Sequence, residues 1–181
     1  MITVAITAPA ANKGDKQMKG KILVVYCSQA GSTAEIAQFI GKEISAKGWN
    51  SDVKNVNEVT NPAQYNAIII GSPIYAGKWK KEATDFIQTN QSLLQQKHVA
   101  YFAVGMFFAD PAKKAETSNY LQRERALVKP LSEGHFMGRL DYSKLNFFSR
   151  TICKMIKAKQ GDFRNWAAIK TWTHQTLALF D

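Results

Sequence analysis

Six residues, Ser28-Gln29-Ala30-Gly31-Ser32-Thr33, carry the chain's clearest chemical signal. They combine three hydroxyls with one glycine, and they stand between an apolar β-branched run (Ile22 to Tyr26) and a segment whose apolar positions, Ile36, Ala37, Ile40 and Ile44, repeat with helical spacing. The first amides of a helix have no intrahelical partner, and the positive end of its dipole faces whatever precedes it. Ser28, Ser32 and Thr33 add hydroxyl donors, and Gly31 lets the backbone come close to a bound anion. Gln29 and Ala30 contribute amides. Such a loop is suited to cradling a single phosphate.

Other phosphate chemistries fit less well. A dinucleotide loop needs three spaced glycines, and Gly31 is the only one in this turn. A nucleotide P-loop fails at Gly71 to Trp79 (GSPIYAGKW), where the glycine spacing is one residue too long and Trp79 stands where Ser or Thr is required. No acidic pair follows the first strand, as a receiver domain would require. His98, His135 and His174 are scattered without ligand spacing, so no metal site is expected. No acid–base side chain stands out as catalytic.

The elements that must position the loop follow in order. Strands are expected at 22–26, 50–56, 65–71, 99–104 and 135–142, and helices at 33–46, 80–94, 112–131 and 162–180. Strands alternating with helices imply parallel pairing through right-handed crossovers. The expected fold is α/β, a doubly wound five-stranded parallel sheet of order 2-1-3-4-5 in a three-layer sandwich. Ligands of such sheets sit where the strand order reverses, beside strands one and three. Residues 1–20 read as an extension or linker, and 21–181 as one domain.

Two further loops should reach that crevice. Ser72 to Trp79 offers Pro73, Ile74, Tyr75, Ala76, Gly77, Lys78 and Trp79; the loop after strand four offers Gly105, Met106, Phe107 and Phe108. If the anion belongs to a flavin, as the resemblance described next implies, its flat isoalloxazine ring needs apolar cover and backbone groups at its edge. On that implication Ala76-Gly77 is the natural place for a backbone group facing flavin N5. Two readings stay open for the aromatic residues, as cover for such a ring or as ordinary core.

Ser-x-x-Gly-x-Thr after the first strand resembles the phosphate loop of the flavodoxin family, with Ala30 where that motif usually has Thr. From about Lys21 to Phe180 the chain resembles the branch of that family that includes the menaquinone-dependent protoporphyrinogen IX dehydrogenases, most clearly in GSPIYAGKWKKEATDF and in Leu140 to Trp166. The resemblance implies FMN as cofactor and electron or hydride transfer through flavin N5. It implies a redox partner protein or a quinone as partner, and a porphyrinogen as a possible substrate.

Charge separates this chain from acidic carrier flavodoxins. Twenty-four Lys and Arg against 14 Asp and Glu give a net charge of +10, concentrated in the last third. Such a field attracts anionic partners. Within 143–159, Leu145, Phe147, Phe148, Ile152, Met155 and Ile156 alternate with basic residues; this stretch reads either as a helix covering the sheet or as a peripheral contact with an anionic membrane. A flavin-free basic module for nucleic acid or anionic membrane is the rival class, and it lacks the known nucleic-acid signatures. Cys27 and Cys153, far apart and without a C-x-x-C spacing, are expected to be buried, reduced thiols in a cytoplasmic protein.

Overall fold

The computed structural model describes residues 20–109, 118–145, 147–155 and 158–181. The expected extension at 1–20 falls, but for Gly20, outside the described residues. Strand β1 (Lys21–Tyr26) is the axis of the molecule, with Ile22, Leu23, Val24 and Val25 fully buried. Its side chains alternate between two cores. Ile22 and Val24 join helices α1 (Ser32–Ala46) and α6 (Trp166–Ala178) on one face; Leu23 and Val25 join the helices of the other. A strand buried on both faces needs apolar residues at every position, which is why KILVVY shows no alternation.

Four strands complete the main parallel sheet: β2 (Asn50–Asn55), β3 (Ala67–Tyr75), β5 (His98–Val104) and β6 (Ser132–Phe136). The order is β2-β1-β3-β5-β6, so the direction of winding reverses between β1 and β3. This is the flavodoxin-like order expected from the sequence. Helices α2 (Lys81–Thr89), α3 (Gln91–Leu94) and α4 (Gln122–Leu127) follow in the segments flanking β5, and Phe86, Ile87 and Leu94 pack into the second core.

Several boundaries differ from expectation. Strand β3 runs on to Tyr75 and turns back as β4 (Lys78–Trp79), so the expected loop after Gly71 is a hairpin. Its two turn residues, Ala76 and Gly77, have φ of 49° and 74°. A right-twisted two-residue hairpin needs positive φ at both positions. The fifth strand of the sheet is 132–136 rather than 135–142. After Phe136 the chain leaves the sheet, and Arg139–Leu140 (β7) pairs antiparallel with Gly161–Asp162 (β8) as a separate ribbon.

The helix expected at 112–131 is, over its described part, a 3₁₀ turn at Ser118–Leu121 followed by α4. Val128 is already extended, and Leu131 bonds Val99 at 2.7 Å. Pro130 biases the preceding residue away from helix, so the chain must be extended by Lys129. Asn90, whose side chain bonds the Phe86 carbonyl at 2.8 Å, divides the helix expected at 80–94. The last helix begins at Trp166 because Asn165 caps it, accepting from the Ala168 amide at 3.0 Å. Within the basic stretch, α5 spans Phe147–Met155.

Candidate functional site

The loop between β1 and α1 closes on itself. The Gly31 amide donates to Ser28 Oγ at 3.1 Å, and Glu35 N–H makes the first helical bond to the Gly31 carbonyl at 3.0 Å. Gly31 is the N-cap, left-handed with φ 90°, and no side chain caps the helix. The opening amides of α1 are therefore not taken by a cap and face the carboxyl end of the sheet. Ser32 and Thr33 are buried at the start of the helix.

An apolar cavity of about 240 Å³ lies beside this helix start, at the place where the sheet reverses. Gln29, Ala30, Ser32 and Thr33 form one wall; Pro73, Ile74 and Tyr75 at the end of β3 form a second; Gly105 and Met106 after β5 form a third. The structure thus brings all three loops named from the sequence to one hollow. Ser28 and Gly31 lie within the first of these loops, and Ala76 at the tip of the β3–β4 hairpin.

The remaining residues of that set lie elsewhere. Gly77, Lys78 and Trp79 line a different cavity on the other side of the hairpin. Trp79 is buried in the second core, edge-on to Tyr101 with centroids 5.2 Å apart. Phe108 stacks on His135 with centroids 4.9 Å apart and planes 2° from parallel, and it packs against the same core. The side chain of Phe107 lies outside the described residues.

Residues that the sequence did not point to close the cavity: Val104, Gly138, Arg139, Leu140, Leu145, Cys153 and Ala158. Gly138 passes so close to the loop that a Cβ there would stand 2.9 Å from Ser32 Oγ. The next amide, of Arg139, donates to that same hydroxyl at 3.0 Å. Leu145, Cys153 and Ala158 belong to the excursion between β7 and β8, which arches over the hollow. The only hint of this in sequence was the apolar–basic interleaving of 143–159, which does not say what the apolar positions face.

A cluster of charges ties this excursion to the helix start. Glu35, in the first turn of α1, accepts from Arg139 Nη2 at 2.7 Å and from Arg164 Nη1 at 2.5 Å. Arg164 also grips Asp162 through both carboxylate oxygens; its side chain is 4% exposed and its guanidinium carbon lies 4.5 Å from the centre of the Trp166 ring. Hydrogen bonding by Arg164, aided by its charge and that of Arg139, holds the Glu35 carboxyl below its ordinary range against a smaller effect of burial. Arg164 likewise draws Asp162 down to about 2. Both carboxylates are held as anions with their charge answered, so neither is poised to shuttle a proton near neutral pH.

Cys27 follows β1 and is buried; burial first, then the Glu82 charge, push its thiol up to about 11, only partly offset by Lys80. It is a packed thiol rather than a nucleophile. Among the described residues no His, Cys, Asp or Glu group could hold a metal, and no helix is long and apolar enough to cross a membrane. The site has the parts of a binding crevice: amides for an anion and an apolar slot for a ring.

Comparison with known proteins bears on this geometry. The profile of the flavodoxin domain matches residues 23–165. The chain is 24% identical over 146 residues to Protoporphyrinogen IX dehydrogenase (quinone) of Escherichia coli strain K12, covering 78% of this chain and 81% of that protein. It is 23% identical over 175 residues to the Leishmania major protein of the same name, covering 88% and 75%. Among solved structures, a Streptococcus pneumonia TIGR4 flavodoxin superimposes with a TM-score of 0.58 at 16% identity, over 88% of this chain and 99% of that one. A Fusobacterium nucleatum flavodoxin bound to flavin mononucleotide gives 0.56 at 15% identity, over 90% and 99%.

Proposed function

We propose, for a chain that belongs to the flavodoxin domain family, that it is an FMN-dependent redox protein whose flavin occupies the cavity at the β1–β3 reversal. The observation that carries this reading is the pairing of an uncapped helix N-terminus with an apolar slot at one end of the sheet. The donor set suits the cofactor's two ends. Amides and hydroxyls of Ser28 to Thr33 would take the phosphate; Pro73 to Tyr75, Gly105 and Met106 would cover the ring; Ala76-Gly77 supplies a turn of adjustable backbone beside it. FMN supplies the one- or two-electron chemistry when bound. The chain's own residues bind, orient and exclude water: Leu140, Leu145 and Ala158 dry the slot from above.

A second reading, quinone-linked oxidation of a porphyrinogen, is supported by the names of the Escherichia coli and Leishmania major relatives and by the positive field, which suits a carboxylate-bearing substrate. The partner in either case is a redox partner, protein or quinone. Helix α5 favours a quinone held in a membrane, because Phe147 and Met155 are 86% and 77% exposed among the basic residues Lys144, Lys154 and Lys159. Co-sedimentation with phosphatidylglycerol vesicles, weakened by Phe147→Glu and by salt, is the expected result; equal sedimentation with phosphatidylcholine would remove the anionic-membrane part of this reading.

The decisive experiment is the absorbance spectrum of the purified protein with the mass of any released chromophore, followed by fluorescence titration of the flavin-free chain. Stoichiometric FMN uptake is expected. A chain that takes up no FMN, yet binds anionic vesicles or DNA with a steep salt dependence, would favour the flavin-free alternative.

A further inference from the structure

Glu35 places a negative charge where an anion site can least use one. Its Oε1 lies 3.8 Å from the point a Cβ would occupy at Gly31, the N-cap of α1. A carboxylate in the first turn of a helix meets the positive end of the dipole and competes for that field with any bound anion. Unanswered, it would also repel a phosphate in the cavity beside the helix start.

Two arginines of the β7–β8 ribbon and its exit answer it. Arg139, in β7, donates from Nη2 to Glu35 Oε1, and Arg164, two residues beyond β8, donates from Nη1 to Oε2. The two cations are not equivalent. Arg164 is also gripped by both oxygens of Asp162, so its charge is already shared. Glu35, Asp162, Arg139 and Arg164 together sum to zero, and removing Arg139 leaves one uncompensated negative charge against the N-cap.

Arg139 acts a second time through its backbone. Its amide donates to Ser32 Oγ at 3.0 Å, an approach that only a glycine at 138 leaves room for. A hydroxyl has one proton and two lone pairs. With a lone pair taken by the amide, the Ser32 proton is left to donate, and none of the described residues accepts it. Ser32 lines the cavity.

We infer that Arg139 is the positioning residue of the anion cradle: its guanidinium cancels Glu35 and its amide aims the Ser32 hydroxyl, so that the start of α1 accepts a phosphate monoester only with the ribbon in place. This rests on the flavin reading and adds to it which end of the cofactor Arg139 serves, the phosphate rather than the ring.

The test is fluorescence titration of the flavin-free full chain with FMN and with riboflavin, which differ only in the phosphate, read as the ratio of the two affinities. Wild type should favour FMN. Arg139→Gln keeps the amide and removes the charge; it should lower the ratio about five-fold. Glu35→Gln should raise the ratio, the opposite of what loosening a purely structural clasp would do. The double variant, again neutral, should return it to the wild-type value. Each shift should shrink as salt is raised. If Arg139→Gln does not fold, the direction of the Glu35→Gln shift decides by itself. A ratio unchanged in Arg139→Gln, lowered in Glu35→Gln, or not restored in the double variant would overturn the inference while leaving the flavin reading intact. A wild-type chain that takes up no FMN would overturn both together.

Discussion

Gly31 shows how much can depend on one residue. Its φ of 90° places it in the left-handed region, and nothing crowds the position, since an added Cβ would have only Glu35 Oε1 near, at 3.8 Å. Substitution therefore acts through backbone strain alone, roughly 1–2 kcal/mol for a residue with a Cβ. Gly31→Val is expected to weaken FMN binding by about ten-fold or more by re-aiming the opening amides of α1. Unaltered affinity in a fluorescence titration would mean that the phosphate is held elsewhere. Ala76 is the converse case, a side chain tolerated at φ 49° because the hairpin turn demands it. The glycine in the β1–α1 loop was legible in the sequence; the strain at Ala76 was not, because it arises only once Tyr75 and Lys78 are paired.

Among the elements, the short ribbon β7–β8 matters more than its size suggests. It holds both ends of the excursion over the cavity, and Arg164 binds it to Glu35 at the start of α1. Arg164→Gln leaves Asp162 and Glu35 short of their main partner while Arg139 still answers Glu35. The expected cost is about 2 kcal/mol, a fall of roughly 4–8 °C in Tm, with faster proteolysis within 141–160; a cleavage rate equal to wild type would show that the ribbon does not depend on this pair. A second tie joins α4 to β6, where Arg125 meets Glu133 in a two-pronged pair at 2.6 Å on each side. Burial works against the Glu133 anion, but Arg125 and His135 together bring its carboxyl down to about 2 from an ordinary 4.5. Its contribution to stability is complete above pH 4.5 and is lost as the pH falls toward 2. Wild type should thus lose urea resistance across that window faster than Glu133→Gln, and parallel curves would refute the assignment.

For the whole molecule, the charge of +10 sets the electrostatic background of the cavity. A positive field favours the more reduced and more negative form of a bound cofactor. Redox titration should give a higher midpoint potential than an acidic flavodoxin measured alongside, the gap closing as salt is raised. An equally low potential would show that local packing outweighs the field.

The sequence by itself determined the alternation of strand and helix, the central place of β1 and the small-residue loop after it. These depend on local periodicity and on small residues within a few positions of one another, and such signals survive in one dimension. Tertiary structure alone decided that Trp79 and Phe108 belong to the core and that Gly138 and Arg139 touch Ser32. It alone decided that Leu145, Cys153 and Ala158 roof the cavity. Ser32 and Arg139 are 107 residues apart in the chain, and no local pattern records which of two apolar faces a helix will turn toward a neighbour. That choice is made when the sheet closes and the remaining surfaces compete for cover.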